Sequence, residues 1–204
     1  MNNIEALTVP GLDACVERLA PLHRQLCPRQ VLGARMGLFA GTLLGLDLPQ
    51  VDKRLLTFVE TDGCFADGVQ VATGCRVGGR TLRVVEYGKI AATFVDTQTG
   101  RGYRMSPHPD ARETALAFAP AAPSRWHAQC AGYGVMPVDR LLQVVPVVLA
   151  APLAAVLGEE DSRVRCSRCC EEVIDQREVV VDGQPVCRGC TAPSYYQLEE
   201  RKAN

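Results

Sequence analysis

The sequence predicts an α+β fold, an antiparallel or mixed sheet with helices packed on it, followed by a small separate C-terminal unit. Three observations predict it. Apolar residues recur first at helical spacing and then in short strand-like runs, in the order helix, helix, strand, helix, strands. No repeat of βαβ units and no Gly-x-Gly-x-x-Gly loop breaks that order, so a dinucleotide site is not expected. Beyond Glu159-Glu160-Asp161-Ser162 the composition turns polar, and two Cys-x2-Cys pairs follow. The expected division is a core over residues 1–158 and a tail over 159–204.

The first element is an amphipathic helix over Gly11 to Ala20, read from Leu12, Cys15, Val16, Leu19 and Leu22 at helical spacing. Pro21 and Pro28 bracket a connecting turn. Pro28 is welcome at a first helical position, which starts a second helix there and sets Cys27 at or beside its N-cap. Unpaired N–H groups at such a position stabilise a thiolate. His23 stands four residues before Cys27, so the two residues can converge on a metal, or the imidazole can serve as base to the thiol. Taken alone, the pair reads as a buried cysteine and a surface histidine.

The second helix runs to about Gly45 and carries Gly33, Gly37, Gly41 and Gly45 at four-residue intervals. Each costs up to about 1 kcal/mol relative to alanine in a helix interior, so the stripe implies a close backbone neighbour. Packing within the chain is the main expectation and a homodimer interface the minor one.

A strand over Leu55 to Glu60 then breaks into Thr61-Asp62-Gly63. Asp62 is the expected N-cap of a helix from Gly63 to Thr73, with Gly74 as its stop. Cys64 falls in the first turn, Asp67 shares its face three residues on, and Cys75 emerges at the far end. Three strand-like runs follow as a meander, Leu82 to Tyr87, Ala91 to Asp96 and Arg101 to Met105, the last two joined by a Thr-Gln-Thr-Gly turn. Asp110 and Glu113 suggest a capping box for a helix to about Ala119. The stretch from Ala119 to Pro137 reads as irregular, with His127 and Cys130 structural. Leu141 to Gly158 is uncharged, but Pro146 and Pro152 favour a short helix, a strand near Val144 to Ala150 and a linker over a membrane helix.

The tail carries the strongest motif. Cys166 and Cys169, then Cys187 and Cys190 after seventeen intervening residues, place four thiolates at tetrahedral reach of one zinc. A hairpin between the knuckles and a terminal helix from Pro193 complete a zinc ribbon or treble-clef-like domain, which depends on its metal to fold. Cys170 is the spare.

With 22 basic and 23 acidic residues in 204, net charge −1, no global field draws the chain to nucleic acid or to acidic lipid. The tail holds seven basic and ten acidic residues, which disfavours a nucleic-acid-binding ribbon and favours a protein partner. The N-terminus shows no secretory pattern, so the chain reads as cytoplasmic, and its ten cysteines as metal ligands or redox thiols rather than disulfides.

Three segments resemble the family of the E subunit of formylmethanofuran dehydrogenase. A His-Gly-His-x-Cys-Pro-Gly run of that family corresponds to His23-Arg24-Gln25-Leu26-Cys27-Pro28-Arg29. A longer family run corresponds to Glu60-Thr61-Asp62-Gly63-Cys64-Phe65-Ala66-Asp67-Gly68-Val69-Gln70-Val71-Ala72-Thr73-Gly74-Cys75, and a Tyr-Gly-Lys to Tyr87-Gly88-Lys89. Gln25 and Arg29 depart from the first run, and Gly78-Gly79-Arg80-Thr81-Leu82 replaces a Gly-Lys-Gly-Asn-Leu loop. The resemblance implies an α+β core with a cysteine- and histidine-lined site and an association with molybdenum or tungsten redox enzymes. It also joins the His23 to Cys27 turn and the Cys64 segment into one composite site.

The leading expectation is therefore an accessory or subunit-like protein of a molybdenum or tungsten enzyme. Its tail holds a structural zinc, and its core holds a metal or redox group on His23, Cys27 and Cys64, with Cys75, Asp67 and Gln70 supporting. An enzyme version makes Cys64 or Cys27 a nucleophile or redox thiol with His23 as base. An adaptor version gives the core no chemistry.

Overall fold

The structure is a computed structural model that describes residues 11–158 and 161–197. The chain falls into two compact units, Met1–Leu149 and Ala150–Asn204.

The first unit begins with α1 (Leu12–Leu19), a 3-10 turn over Ala20–Leu22, and α2 (Pro28–Leu44). Cys27 is the N-cap of α2, and the Gln30 side chain reaches back to accept its backbone N–H at 2.8 Å, one half of a capping box. After β1 (Leu55–Val59) and α3 (Cys64–Thr73) come β2 (Leu82–Val84), β3 (Ala92–Asp96), β4 (Gly102–Pro107), α4 (Ala111–Ala117), α5 (Arg125–Val135), α6 (Val138–Leu141) and β5 (Leu142–Val147). The sheet order is β2-β1-β3-β4-β5, with β1 and β2 parallel and the other pairs antiparallel. The fold is α+β with a mixed sheet, as the element order predicts.

The glycine stripe is used inside the chain. A Cβ on Gly33 would meet Phe65 O at 2.3 Å, one on Gly68 would meet Gln30 O at 2.2 Å, and one on Gly37 would meet Ala72 Cβ at 2.7 Å. Residues 30–37 of α2 thus lie backbone to backbone against residues 65–73 of α3 in the same order, so the two helices run parallel. Gly41 is taken by Leu48 in the same way. Packing on α3 thus accounts for Gly33 and Gly37, and Leu48 for Gly41, while Gly45 has no neighbour within 4 Å and is the C-cap of α2 at φ 68°.

Four local expectations differ from the structure. Leu82 onward does not open a meander: β2 pairs with β1 after the α3 crossover, and β3 lies on the other side of β1. Parallel neighbours require such a crossover because no tight turn can join them. Asp62 is not the N-cap of α3, since Gly63 takes that place at φ 74°, a backbone region that favours glycine. Asp110 and Glu113 form no capping box, for Glu113 pairs instead with Arg125. The stretch expected to be irregular holds α5, eleven residues capped by Ser124, whose hydroxyl oxygen accepts from His127 N.

Arg35 ties α2 to the end of α5. Its guanidinium, 2% exposed, donates to the carbonyls of Tyr133, Gly134 and Met136 at 2.6 to 2.7 Å. Those carbonyls would otherwise be the unmet end of a helix. Burial lowers the Arg35 pKa to about 10, which leaves it cationic at neutral pH.

The second unit holds α7 (Leu153–Leu157), the hairpin β6 (Arg163–Arg165) and β7 (Glu172–Ile174), the hairpin β8 (Val179–Val181) and β9 (Gln184–Val186), and α8 (Arg188–Thr191). Residues 193–197 are not helical, and the rest of the expected terminal helix lies outside the described residues. No helix among the described residues is long and apolar enough to cross a membrane.

Candidate metal and thiol sites

Two helix N-termini deliver the core thiols. Cys27 caps α2 and Cys64 opens α3. Because the helices are parallel and in register, their positive ends stand side by side. His23, on the turn before α2, bridges them. Its Nε2 lies 2.7 Å from Asp67 Oδ2 and its Nδ1 lies 4.0 Å from Cys64 Sγ. The Cys27 thiol lies near enough to Cys64 to raise its pKa. The structure therefore brings together four of the residues singled out from the sequence: His23, Cys27, Cys64 and Asp67.

Burial first, and the Cys27 thiol second, raise the Cys64 thiol above its ordinary pKa. Arg29 and the Cys64 backbone N–H pull the other way and do not prevail. The helix dipole, which by itself lowers the pKa of a thiol in a first turn, is thus outweighed. At a surface helix end the dipole would face only water, whereas here burial and a second thiol oppose it.

Cys75 is not part of this group. It follows the far end of α3, some 15 Å along the axis from Cys64 at 1.5 Å per residue. There it is 1% exposed, accepts from the Thr57 hydroxyl and donates to Leu55 O, both at 3.3 Å, and burial raises its pKa. Gln70, half-buried, lies nearly two turns along α3 from Cys64. His127 and Cys130 do not converge either. His127 Nδ1 is 2.8 Å from Ser124 Oγ, while Cys130 Sγ lies 3.6 Å from Leu26 O.

Sequence reasoning missed α5 as a wall of the site. Trp126 Nε1 donates to Leu26 O at 3.2 Å, so the indole and the Cys130 thiol both rest on the turn that carries Cys27. Burial, with Cys27 nearby, pushes the Cys130 thiol up to about 11. The signal was present: buried Ala128, Gly132, Tyr133 and Met136 recur at helical spacing behind a serine cap.

The Tyr87-Gly88-Lys89 segment wraps the end of β1, with Tyr87 N and Lys89 N both donating to Glu60 O at 3.0 and 3.1 Å. The Glu60 carboxylate is gripped by Arg104 through two bonds of 2.6 and 2.7 Å. Mainly through that grip, its pKa is lowered. These contacts fix the strand end from which Thr61 and α3 depart.

A cavity of about 550 Å³ opens beside Cys27, walled by the first turn of α2, Thr61, the Gly88 to Ile90 segment, the β4–α4 connection and α5.

In the tail, one ligand atom from each of Cys166, Cys169, Cys187 and Cys190 lies within 4.8 Å of all the others. Cys166 Sγ accepts from the backbone N–H groups of Arg168 and Cys187 at 3.4 and 3.2 Å. Backbone donors, those of Cys169 and Cys187 foremost, hold its thiol down at about 6. Its crowded neighbours, Cys187 foremost, push Cys190 up to about 12. Four sulfurs so placed, with N–H groups turned toward one of them, can hold a metal ion and fit a zinc ribbon.

The core group is looser, since the tail cysteines are the one cluster of three or more among the described residues that meets that spacing. Its donor chemistry still suits a metal. Zinc bonds of about 2.0 Å to nitrogen and 2.3 Å to sulfur in a tetrahedron set the two atoms roughly 3.6 Å apart, close to the 4.0 Å between His23 Nδ1 and Cys64 Sγ. A ligating imidazole characteristically donates its other N–H to a carboxylate, as His23 Nε2 is placed to do toward Asp67.

A protein from Syntrophus aciditrophicus that is like FmdE, the E subunit of tungsten formylmethanofuran dehydrogenase, has a solved structure that matches this fold. The TM-score is 0.58 at 22% identity, over 97% of this chain and 100% of that one. A probable S-adenosyl-L-methionine-binding protein of Archaeoglobus fulgidus is 37% identical over 104 residues, which are 50% of this chain and 28% of that protein. The chain thus spans little more than a quarter of that relative's length. Residues 22–132, more than half of the chain and the whole span of the core thiol group, match the family described as FmdE, molybdenum formylmethanofuran dehydrogenase operon. The chain belongs to the FmdE family, as the His23 and Cys64 segments imply.

Proposed function

We propose that the protein is a cytoplasmic accessory or subunit-like partner of a molybdenum or tungsten oxidoreductase, with a structural zinc in its tail and a second metal in its core. His23 Nδ1, Cys27 Sγ and Cys64 Sγ hold the core metal, and Asp67 orients the imidazole. The observation that carries the reading is the line Asp67–His23–Cys64, in which the carboxylate engages Nε2 and leaves Nδ1 facing the thiol. A metal on two thiolates and one imidazole supplies a Lewis-acidic or redox centre with room for a further ligand. Family membership supports the association with molybdenum and tungsten enzymes.

Elemental analysis tests the core. Two metal equivalents per chain in the native protein, falling to one in Cys64→Ala and His23→Ala, are expected. One equivalent throughout, unchanged by Cys64→Ala, would sink the metal reading. It would favour an adaptor whose core thiols only pack, a version supported by the deep burial of Cys27. Association is tested by affinity capture of a molybdenum- or tungsten-containing enzyme with the full chain.

A further inference from the structure

The cavity beside Cys27 has a composition that the core thiols do not explain. None of its lining residues is acidic, while Arg29 and Arg112 both stand in its wall. Neither guanidinium has an ion-pair partner among the described residues. Glu113, next to Arg112 in the chain, pairs with Arg125. Because α2 starts at the cavity with Pro28 and Arg29, the positive end of a seventeen-residue helix adds to the same field. The site is built for negative charge.

A bare inorganic ion would leave most of the space unfilled. Leu32, Ile90, Pro107 and Pro109 give the cavity apolar walls, and its volume of about 550 Å³ lies within the range of organic ligand sites. Trp126 lines it too, 43% exposed, with its indole N–H fixed on Leu26 O, so the ring is held in place with surface free for stacking. Gln129 is another wall residue. It is only 6% exposed, yet its Nε2 has no hydrogen-bond partner. A buried donor without a partner is costly, and an acceptor carried in by a ligand would meet it.

We propose that this cavity binds a small organic anion, an aromatic or heteroaromatic ring bearing a carboxylate or phosphate. The charge lies between Arg29 and Arg112, the ring lies against Trp126, and Gln129 donates to a ring or side-group acceptor. Binding itself is independent of whether the core carries a metal. Only the use made of the bound anion, held with Cys27 in the wall, rests on the metal reading above.

Trp126 is the one tryptophan of the chain, so tryptophan fluorescence comes from the wall of this cavity. The native full-length protein is titrated with 4-nitrobenzoate, a planar anionic quencher, and with its neutral analogue 4-nitrobenzamide. Saturable quenching by the anion, at least tenfold weaker for the amide, is expected. Arg29→Gln and Arg112→Gln should each weaken the anion about tenfold, and Gln129→Leu should weaken both probes. Both arginines are exposed, so their replacement does not threaten the fold. The same titration on Cys64→Ala should be unchanged, which separates this proposal from the metal reading. Quenching that never saturates, that is equal for the two probes, or that survives both arginine substitutions overturns it.

Discussion

Asp67 Oδ2 and His23 Nε2 lie 2.7 Å apart although 44 residues separate them in the chain. The contact joins the turn before α2 to the first turn of α3, and it decides which imidazole nitrogen faces Cys64. Asp67→Ala is expected to weaken core metal binding by about 10- to 100-fold, the usual cost of losing such an outer partner. Competition against a chromophoric chelator measures it, and metal binding by the four tail cysteines should be unaffected.

Gly33→Ala and Gly68→Ala each drive a Cβ into backbone at 2.3 and 2.2 Å, where no side chain can move aside. Each should destabilise the core by about 3 kcal/mol, the upper range for overpacking. Gly134→Ala is the control: its Cβ would meet only Leu12 Cδ2 at 3.8 Å, and stability should hold or rise by up to about 1 kcal/mol. Denaturant midpoints distinguish the two cases.

Arg35→Leu keeps bulk in the core but strands the carbonyls of Tyr133, Gly134 and Met136. With hydrogen bonds to a charged group contributing about 1.5–3 kcal/mol apiece, a loss of at least about 3 kcal/mol is expected. Because α5 then loosens, Trp126 fluorescence should shift red before global unfolding. Coincident loss of fluorescence and helical circular dichroism would argue against that order.

Two carboxylates set the acid limit of the core. Glu60 is held below its ordinary 4.5, chiefly by the Arg104 bonds. At Asp96 burial pushes up from 3.8, but the bonds from Arg54, Gln98 N and the Thr99 hydroxyl together outweigh it and lower the pKa. Both are depressed in the folded state, so their contribution is complete above these ordinary values and is lost as pH falls below 4.5 and then 3.8 toward the folded pKa. Arg104→Met should move the acid-unfolding midpoint to higher pH, with little change in pH dependence above about 6. An unchanged midpoint would mean that Glu60 carries no such linkage.

Removal of the tail metal should unfold the tail and leave the core intact. Strong chelator, or Cys187→Ala, is expected to abolish the signals of β8 and β9 in amide exchange while those of β1 and β3 stay protected.

Local chemistry made much of this legible in advance. Pro28 marked the start of α2, Gly74 the end of α3, and the cysteine spacing marked the tail cluster, because each is a constraint satisfied within a few residues. The strand order was not legible. Whether Leu82 pairs with Thr57 or with the next strand depends on where α3 lies, which no residue near Leu82 encodes. The core group was half legible for the same reason. His23 and Cys27 looked unremarkable alone, and only the packing of α2 on α3 brings Cys64 and Asp67 to them. α5 was lost because glycine and proline around it suppressed the helical signal that Ser124 and the Ala128, Gly132, Tyr133 spacing carried.

The glycine contact between α2 and α3 has a metrological role. Two helices that touch through main-chain atoms are held at a separation fixed by covalent geometry, so the gap between Cys27 and Cys64 is not adjustable by exchanging one aliphatic side chain for another. Drift elsewhere in the hydrophobic interior can change the stability of this fold while the thiol-to-thiol gauge stays the same. Recalibrating that gauge would take a change at Gly33 or Gly68 themselves.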